Sequence, residues 1–313
     1  MRAAPAARVL DPRLLTATRG LRLAALQIVA GVLPGIQASR QPGLSREFSQ
    51  YRAYQPGDEP RHIDWKLYAR SDRYYLRESE IQTAVTLRIV LDATESMRHE
   101  DTTGAGEGIR KFDCACVLAA AFAYLAQRQG DPVGLHAISD GRVVSVQPGQ
   151  RRQPFERIVH ALENLEARGS WPENPLELAA AVATRSNSVP APSGTTRELT
   201  IVLTDGHERG DEIRDALAPL RFGQHEVLFL HLLGRDELEF PYRGPVRFEE
   251  WETGAVLETD ASAAREMWLE NLEIALEQWR RGWEGKRFDY FQFRTDEPLD
   301  RALRVYLLQR MRR

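Results

Sequence analysis

Cysteine is scarce in this sequence, which has only Cys114 and Cys116 among 313 residues. The two lie two positions apart in an apolar run with helical character, so their side chains point to different faces and cannot pair with each other. A chain without a disulfide framework is typical of a reducing compartment, where such cysteines serve in packing. Their C-x-C spacing lacks the further cysteines that a soft-metal site needs.

Long apolar runs and an excess of positive charge are also missing. The longest uncharged stretch, Leu23–Ser39, has 17 residues, whereas a membrane-spanning helix needs roughly 20 predominantly apolar residues. The net charge of −3 argues against a general nucleic-acid binder. No phosphate-binding loop, HExxH motif or nucleophile elbow is present in the sequence. We therefore expect a soluble, cytoplasmic protein without a transmembrane segment or a nucleic-acid partner.

The first 44 residues are locally basic, because six arginines stand against a single acidic residue, Asp11. The segment lacks the contiguous apolar core of a signal peptide. We interpret it as a helical arm that docks on the rest of the protein. The alternative is that its basic face makes peripheral contact with acidic lipid or with a partner.

The most informative stretch is Leu87–Met97, LRIVLDATESM. Its aliphatic and β-branched residues predict a buried strand, and Asp92, Thr94 and Ser96 follow at every second position of the next loop. A carboxylate and two hydroxyls are the oxygen ligands that magnesium prefers. The alternative is a turn in which these side chains cap the following helix.

A second carboxylate, Asp205, follows the predicted strand Glu198–Thr204. Because ligands of open α/β sheets bind at the carboxyl ends of the strands, we expect Asp205 to lie near Asp92. The pair favours a site for magnesium or manganese. His207 and Glu208 follow directly, so a metal-dependent hydrolase is an alternative, although solvated loop residues are the simpler interpretation. His99, near the first loop, is interpreted in the same way.

Aromatic residues are concentrated in Gly43–Glu80, among many charges. Pro56-Gly57-Asp58 predicts a turn, and Tyr74–Arg77 a strand. The charged residues are either a paired network that supports irregular backbone or part of a docking surface, because arginine, tryptophan and tyrosine are enriched at interfaces. The docking candidates are Arg52, Tyr54, Asp58, Arg61, Asp64, Trp65 and Arg70.

The pattern EF-x-x-x-R-x-Y-x-PGD-x-x-R-x-IDW-x-x-x-AR, from Glu47 to Arg70, resembles the signature of the domain-of-unknown-function-58 family (DUF58). Likewise, the D-x-T-x-S loop at Asp92 resembles the metal-ion-dependent adhesion site of von Willebrand factor A domains. That resemblance implies a cation that is completed by an acidic residue of a partner. It also implies a threonine ligand on a second loop, which is Gly169–Leu176 in this chain and has Asn174 at the corresponding position. Binding of the ion is therefore expected to be weak.

Predicted strands alternate with predicted helices, which is typical of a doubly wound, mostly parallel α/β sheet. We expect three regions: an N-terminal helical arm (1–44), an aromatic-rich β extension (45–82) that packs on the sheet, and a von Willebrand factor A-like domain (83–313). The strands before Asp92 and Asp205, Leu87–Leu91 and Glu198–Thr204, belong to this sheet. The other predicted strands are Val133–Ile138, Val143–Val146, Val227–Leu233, an edge strand Val246–Glu250 and Lys286–Phe293. The predicted helices are Phe112–Arg128, Phe155–Ala167, Glu177–Arg185, Asp211–Leu220, Ala261–Arg281, whose apolar stripe is assigned to the core, and Leu299–Arg313.

Together, these features predict a non-enzymatic adaptor. The resemblance implies that it works beside a MoxR-type AAA+ ATPase in the chaperone-like assembly or maturation of a client protein. The alternative is a hydrolase that holds its metal through Asp92 and Asp205 and uses His207 or Glu208 as the base.

Overall fold

The computed structural model describes residues 20–39, 51–55, 58, 60, 63–77, 85–102, 108–149, 153–172, 174, 178, 180, 197–207, 212–221, 225–251, 253–283 and 288–311. The described residues form two compact units, one within Met1–Val32 and Ala84–Arg313 and the other within Leu33–Thr83. None of the described helices is both long enough and apolar enough to cross a membrane.

The larger unit is built on a six-stranded sheet. The sheet strands, in chain order, are β3 (Val85–Asp92), β4 (Val133–Ser139), β5 (Arg142–Gly149), β6 (Arg197–Thr204), β7 (His225–Leu233) and β10 (Phe288–Arg294). They are arranged in the order β10-β7-β6-β3-β4-β5, and all neighbours are parallel except β4 and β5. The predicted doubly wound, mostly parallel α/β fold is therefore confirmed.

Helices accompany the sheet strands, as the alternating pattern predicts. In the larger unit the described helices are α3 (Lys111–Gln129), α4 (Pro154–Glu163), α5 (Glu212–Leu217), α6 (Arg235–Glu239), α7 (Ala261–Trp283) and α8 (Asp300–Met311). Helix α3 is rich in alanine and buried over most of its length, so it packs closely in the core. It ends at Gly130, whose φ of 77° is the left-handed conformation that glycine adopts readily.

Helix α1 (Leu21–Ser39) is docked on the protein over its first part. Ala25, Ile28 and Val29 are fully buried, and Arg22 forms a 3.1 Å ion pair with Glu156 of α4. The apolar face of the arm therefore contributes to the core of the larger unit.

The smaller unit contains β1 (Tyr51–Ala53), α2 (Trp65–Ser71) and β2 (Tyr75–Arg77), and its two strands are antiparallel. The sequence predicts β2 but not α2, so the predicted β extension contains a helix as well as strands. Helix α2 begins where the Asp64 carboxylate accepts hydrogen bonds from the amides of Lys66 and Leu67. That the extension packs on the main sheet stays a prediction.

Three element predictions need correction. The helix at Phe155–Ala167 ends four residues early, at Glu163. The strand at Val246–Glu250 is not an edge of the main sheet, because β8 (Pro245–Glu249) pairs with β9 (Val256–Asp260) in a separate hairpin. The helix predicted at Glu177–Arg185 needs no correction where it is described: Leu178 and Ala180 are the described residues, and both are helical.

The third correction is that the apolar stripe of α7 is not core along its length, because only its end, at Trp279 and Trp283, packs in the buried cluster. Only Ala261 and Trp283 of this helix are buried, and Trp268 is 44% exposed. The end of the helix explains the pattern: Trp279 and Trp283 stack on Phe229 of β7, with ring centroids 5.3 and 5.0 Å apart from it. The helix also contacts β10, β9 and α6.

Candidate functional site

Asp92, the last residue of β3, is a buried acceptor of hydrogen bonds. Its Oδ1 accepts from the backbone amide and the hydroxyl of Thr94, at 3.0 and 2.7 Å. Its Oδ2 accepts from the Trp171 indole at 3.0 Å and from the Thr204 hydroxyl at 2.6 Å. Each carboxylate oxygen thus has two donors, and the strand ends of β3 and β6 are joined through one side chain.

The other residues predicted at this edge lie beside Asp92. The Thr94 hydroxyl is 3.2 Å from the Ser96 hydroxyl, which donates to Oδ1 of Asp205 at 3.2 Å. The same Asp205 oxygen accepts the backbone amide of His207 at 3.1 Å. The structure therefore brings together Asp92, Thr94, Ser96 and Asp205, as parallel strand ends require.

Lys111 is a member of this cluster that the sequence reasoning missed. Its Nζ donates to Oδ2 of Asp205 at 3.0 Å and to Oε1 of Glu237 at 2.6 Å, and its side chain is only 4% exposed. Lys111 begins the apolar helix α3, and a lone cation in that position is the signal that could have drawn attention to it. We refer to Asp92, Thr94, Ser96, Lys111, Asp205 and Glu237 as the edge cluster.

Burial and charge determine the protonation of the edge cluster. Burial lowers the pKa of Lys111, but the Asp205 and Glu237 carboxylates outweigh it, so the net pKa lies above the ordinary lysine value. For Asp205, burial raises the pKa, but the Lys111 ammonium holds it below the usual range. Burial, followed by the charge of Asp205, raises the pKa of Asp92 to about 6. Lys111 and Asp205 are therefore an ion pair at neutral pH.

The donor set does not fit a divalent cation. Both oxygens of Asp92 already accept hydrogen bonds, and the Lys111 ammonium is bonded to Asp205. Among the residues that the structure describes, no group of three or more histidine, cysteine, aspartate or glutamate side chains is arranged to hold a metal. The predicted site for an ion, held by Asp92, Thr94, Ser96, Asn174 and Asp205, stays a prediction, and these contacts do not favour it.

Among the described residues of the second loop, Trp171 bonds directly to the edge cluster. Trp171 is buried and donates to Asp92, whereas Asn174 is exposed. The loop is also tied to the Asp92 loop by its backbone. The Arg168 amide donates to the Ala93 carbonyl at 2.9 Å, and the Glu95 amide donates to the Gly169 carbonyl at 2.8 Å.

His99 is not the solvated residue that the sequence suggests. Its Nε2 lies 2.9 Å from Oδ1 of buried Asp236. Oδ2 of Asp236 accepts hydrogen bonds from the hydroxyls of Thr102 and Tyr242, at 2.9 and 2.8 Å. Burial lowers the pKa of His99, but the hydrogen bond with Asp236 and the charges of Glu237 and Asp236 together outweigh it, so the net pKa is raised. Burial raises the pKa of Asp236, but its donors, His99 foremost, hold it far below the usual range.

A cavity of about 320 Å³ lies over the edge cluster. Lys111, Asp205 and Glu237 are among its lining residues, and Trp251 and Trp268 stand at the same cavity. Trp251 is 51% exposed, and the guanidinium of Arg98 lies over its ring, 5.5 Å from the centroid. The face thus combines a charged interior with exposed aromatic groups.

The residues of the hydrolase alternative are less well placed. The side chain of His207 is 42% exposed, and its Nε2 lies 3.5 Å from Oε1 of Glu250. Glu208 falls outside the described residues. His207 thus pairs with a surface carboxylate of the loop after β8.

Some docking candidates of the smaller unit support its backbone, and others are exposed on its surface. Asp64 caps α2, and Asp58 accepts the amide of Gln55 at 2.8 Å, so both carboxylates support backbone. Trp65 is 58% exposed and Arg70 is exposed. The rings of Tyr54, Trp65, Tyr68 and Tyr74 form one aromatic cluster, in which Tyr68 and Tyr74 stack 4.5 Å apart. Arg61 and the side chain of Arg52 lie outside the description.

Relatives of this chain have been found in mycobacteria. The chain is 27% identical over 250 residues to the uncharacterized protein Rv1480 of Mycobacterium tuberculosis, a match that covers 79% of this chain and 74% of the relative. Among solved structures it is similar to BatB of Bacteroides thetaiotaomicron, with 14% identity and a TM-score of 0.45 over 74% of this chain and all of that one. It is also similar to the VWA domain of SpRpn10, with 12% identity and a TM-score of 0.38 over 71% and 95% of the two chains.

The family comparison covers most of the described sheet. A model of the family described as "Protein of unknown function DUF58" matches residues 50–273, from β1 through the first half of α7. This match includes both strand-end loops and Lys111, as well as the aromatic signature after residue 50. The chain therefore belongs to the DUF58 family.

Proposed function

We propose that this chain is a non-catalytic interaction protein that docks a protein partner on the carboxyl edge of its sheet. The observation that carries this proposal is the exposed Trp251, stacked with Arg98 beside a cavity with a charged interior. Tryptophan and arginine are the residues most enriched among those that dominate binding energy at interfaces. A half-exposed tryptophan at the mouth of a cavity offers a large contact area with few rotatable bonds.

The partner in this proposal is a MoxR-type AAA+ ATPase, and the chain acts with it in the chaperone-like assembly or maturation of a client protein. Membership of the DUF58 family, together with the resemblance of the strand-end loops to von Willebrand factor A adhesion loops, supports this choice. In the form predicted from the sequence, a magnesium or manganese ion bridges the edge cluster to an acidic residue of the partner. The proposal does not depend on that ion.

A metal-dependent hydrolase is the second candidate, and the geometry favours it less. A general base must come within hydrogen-bond reach of the water or substrate that it deprotonates, and an activated water needs an open metal position. The pairing of His207 with Glu250 and of Asp205 with Lys111 engages the groups that this chemistry would use.

The proposal is tested with the AAA+ ATPase encoded nearest to this chain in its genome. Binding is measured by calorimetry for the wild type and for Trp251→Ala, together with the ATPase rate. Truncation of an interface anchor costs about 2 kcal/mol or more, so affinity should fall about 30-fold. The matched control is Leu308→Ala, which removes another exposed apolar side chain, from α8.

Trp65→Ala separates the edge face from the smaller unit. If Trp65→Ala weakens binding and Trp251→Ala does not, the partner docks on the smaller unit and the edge proposal is wrong. Absence of any binding by the wild-type chain would reject the AAA+ partner, and hydrolysis of a substrate lost on His207→Ala would favour the hydrolase.

A further inference from the structure

We propose that Lys111 is the resident cation of the edge cluster, and that its ammonium group takes the electrostatic place of a divalent ion. The inference deepens the proposed function by making partner docking independent of metal. It concerns the chain alone, so its test needs no partner and can fail separately from the test of docking.

The position of Lys111 is costly unless its charge is specifically compensated. The side chain is almost completely buried, and desolvation of an ammonium group is unfavourable. Lys111 is also the first residue of α3, where the partial positive charge of the helix end disfavours a cation. Its Nζ donates hydrogen bonds to two carboxylates from different elements, Asp205 after β6 and Glu237 in α6. Their negative charges compensate both effects.

The remaining acceptors of the cluster are satisfied without a metal. Oδ1 of Asp205 accepts from the Ser96 hydroxyl and the His207 amide, while Oδ2 is bonded to the ammonium. Asp92 has two donors on each oxygen. A divalent ion on Oδ2 of Asp205 would have to separate a buried ion pair, which is strongly unfavourable, and an ion on Oδ1 would have to displace the Ser96 and His207 donors.

His231 supports the same assignment, because it supplies no second positive charge. Its Nε2 lies 2.7 Å from the Asp205 carbonyl oxygen and its Nδ1 lies 2.6 Å from the Tyr290 hydroxyl. The neutral tautomer with the proton on Nε2 satisfies both contacts: Nε2–H donates to the carbonyl, and Nδ1 accepts from the hydroxyl. Burial lowers the pKa of His231. The positive charge next to Asp205 is therefore that of Lys111.

The first test is the thermal stability of the wild-type chain in EDTA and in about 10 mM magnesium or manganese chloride. The melting temperature should be the same in all three. A site with a dissociation constant of about 100 µM would instead raise it by about 5 °C at that concentration. Such a rise, if Asp205→Asn abolishes it, would overturn the proposal.

The second test is Lys111→Met, which keeps most of the length of the side chain and removes its charge. The melting temperature in EDTA should fall by about 10 °C, because Asp205 and Glu237 lose their counter-charge. Manganese should now restore part of the loss in a concentration-dependent way. The matched control, Lys111→Met with Asp205→Asn, should show little or no such rescue.

The outcomes discriminate clearly. A Lys111→Met variant with unchanged stability in EDTA would overturn the proposal, since the ammonium would then be dispensable. If Lys111→Met folds under no condition, titration of the wild type with manganese, followed by electron paramagnetic resonance, decides. No binding up to about 1 mM supports the proposal, and saturable binding that Asp205→Asn removes refutes it.

Discussion

At the scale of single residues, Asp92 organises the edge cluster by accepting hydrogen bonds. Its donors come from its own loop, from the second loop and from the end of β6. A carboxylate with this many donors holds neighbouring loops in one arrangement, because each donor would otherwise be buried without a partner. The adhesion-loop pattern therefore has a structural role that does not require an ion.

Asp92→Ala should lower the free energy of unfolding by roughly 3 kcal/mol, because it leaves the Thr94, Trp171 and Thr204 donors without their buried acceptor. Urea unfolding monitored by tryptophan fluorescence measures the change. Asp215→Ala, at an exposed position of α5, is the control and should change stability by no more than about 0.5 kcal/mol. Equal stability of the two variants would contradict the structural role.

The pair of His99 and Asp236 predicts a dependence of stability on pH. Because the folded-state pKa of His99 is raised, its contribution is fully present below about 6.5 and is lost as the pH rises through the folded-state value. His99→Gln should therefore cost about 2 kcal/mol at pH 6, where the charge-assisted hydrogen bond is lost, and less at pH 9. Urea unfolding at both pH values tests this; a cost that grows with pH would refute it.

Residue-level reasoning from the sequence recovered four of the six residues of the edge cluster and missed the other two. Asp92, Thr94, Ser96 and Asp205 follow predicted strands, and strand ends of a parallel sheet meet at one edge. Lys111 and Glu237 carry no such positional signal: they lie 94 and 126 residues from their partners Asp205 and Lys111, respectively. Their pairing depends on how helices dock, which periodicity alone does not specify.

At the scale of elements, the second loop is a structural bridge between two parts of the carboxyl edge. Its backbone bonds both the Asp92 loop and the β4–β5 turn, where the Asp140 amide donates to the Arg168 carbonyl at 2.8 Å. Gly169 has a φ of +68°, and a Cβ on it would lie 2.6 Å from the Asp140 Cα atom. Only glycine fits that approach without backbone movement.

Gly169→Ala should destabilise the protein by roughly 3 kcal/mol, through the left-handed conformation and the backbone clash together. Gly130→Ala is the matched control, since its φ is +77° and its Cβ would meet nothing within 4 Å. That variant should cost only about 1 kcal/mol. Chemical unfolding of both gives the difference, and similar losses would show that the clash is relieved by movement of the turn.

Helix α1 offers a comparable test of docking. Ile28→Ala should cost about 2–5 kcal/mol, because the side chain is fully buried. Leu23→Ala, on the exposed face of the same helix, should cost no more than about 0.5 kcal/mol. If the two variants have equal stability in urea, the arm does not contribute to the core.

The predictability of elements followed the strength of their periodic signal. The continuous apolar strands β3, β4, β6 and β7 and the helix α3 were predicted within a few residues, because burial on all sides leaves an unambiguous pattern. Helix α7 has a clear apolar stripe too, yet Trp268 is exposed at the cavity, whereas Trp279 and Trp283 pack on the core. A hydrophobic stripe predicts that one face of a helix makes apolar contacts, but it does not predict whether those contacts are with the core or with another surface.

At the scale of the whole molecule, the sheet collects residues from distant parts of the chain on one edge. Loops after β3, β6 and β7, the start of α3 and the hairpin β8–β9 all contribute to the cavity region. This arrangement gives a partner access to several elements at once, which suits the proposed docking role.

The burial of Lys111 also has a consequence for the order of folding. Both of its partners are C-terminal to it, so during synthesis the ammonium remains hydrated until α6 has emerged. The N-terminal turn of α3 should consequently become protected in the same kinetic phase as α6, and later than the centre of that helix. Pulse-labelled hydrogen exchange during refolding would show this as a delay at residues 114–116 relative to 120–126. The late-forming charge pair would thus act as a checkpoint, so that the docking face is completed only once the C-terminal half of the sheet is in place.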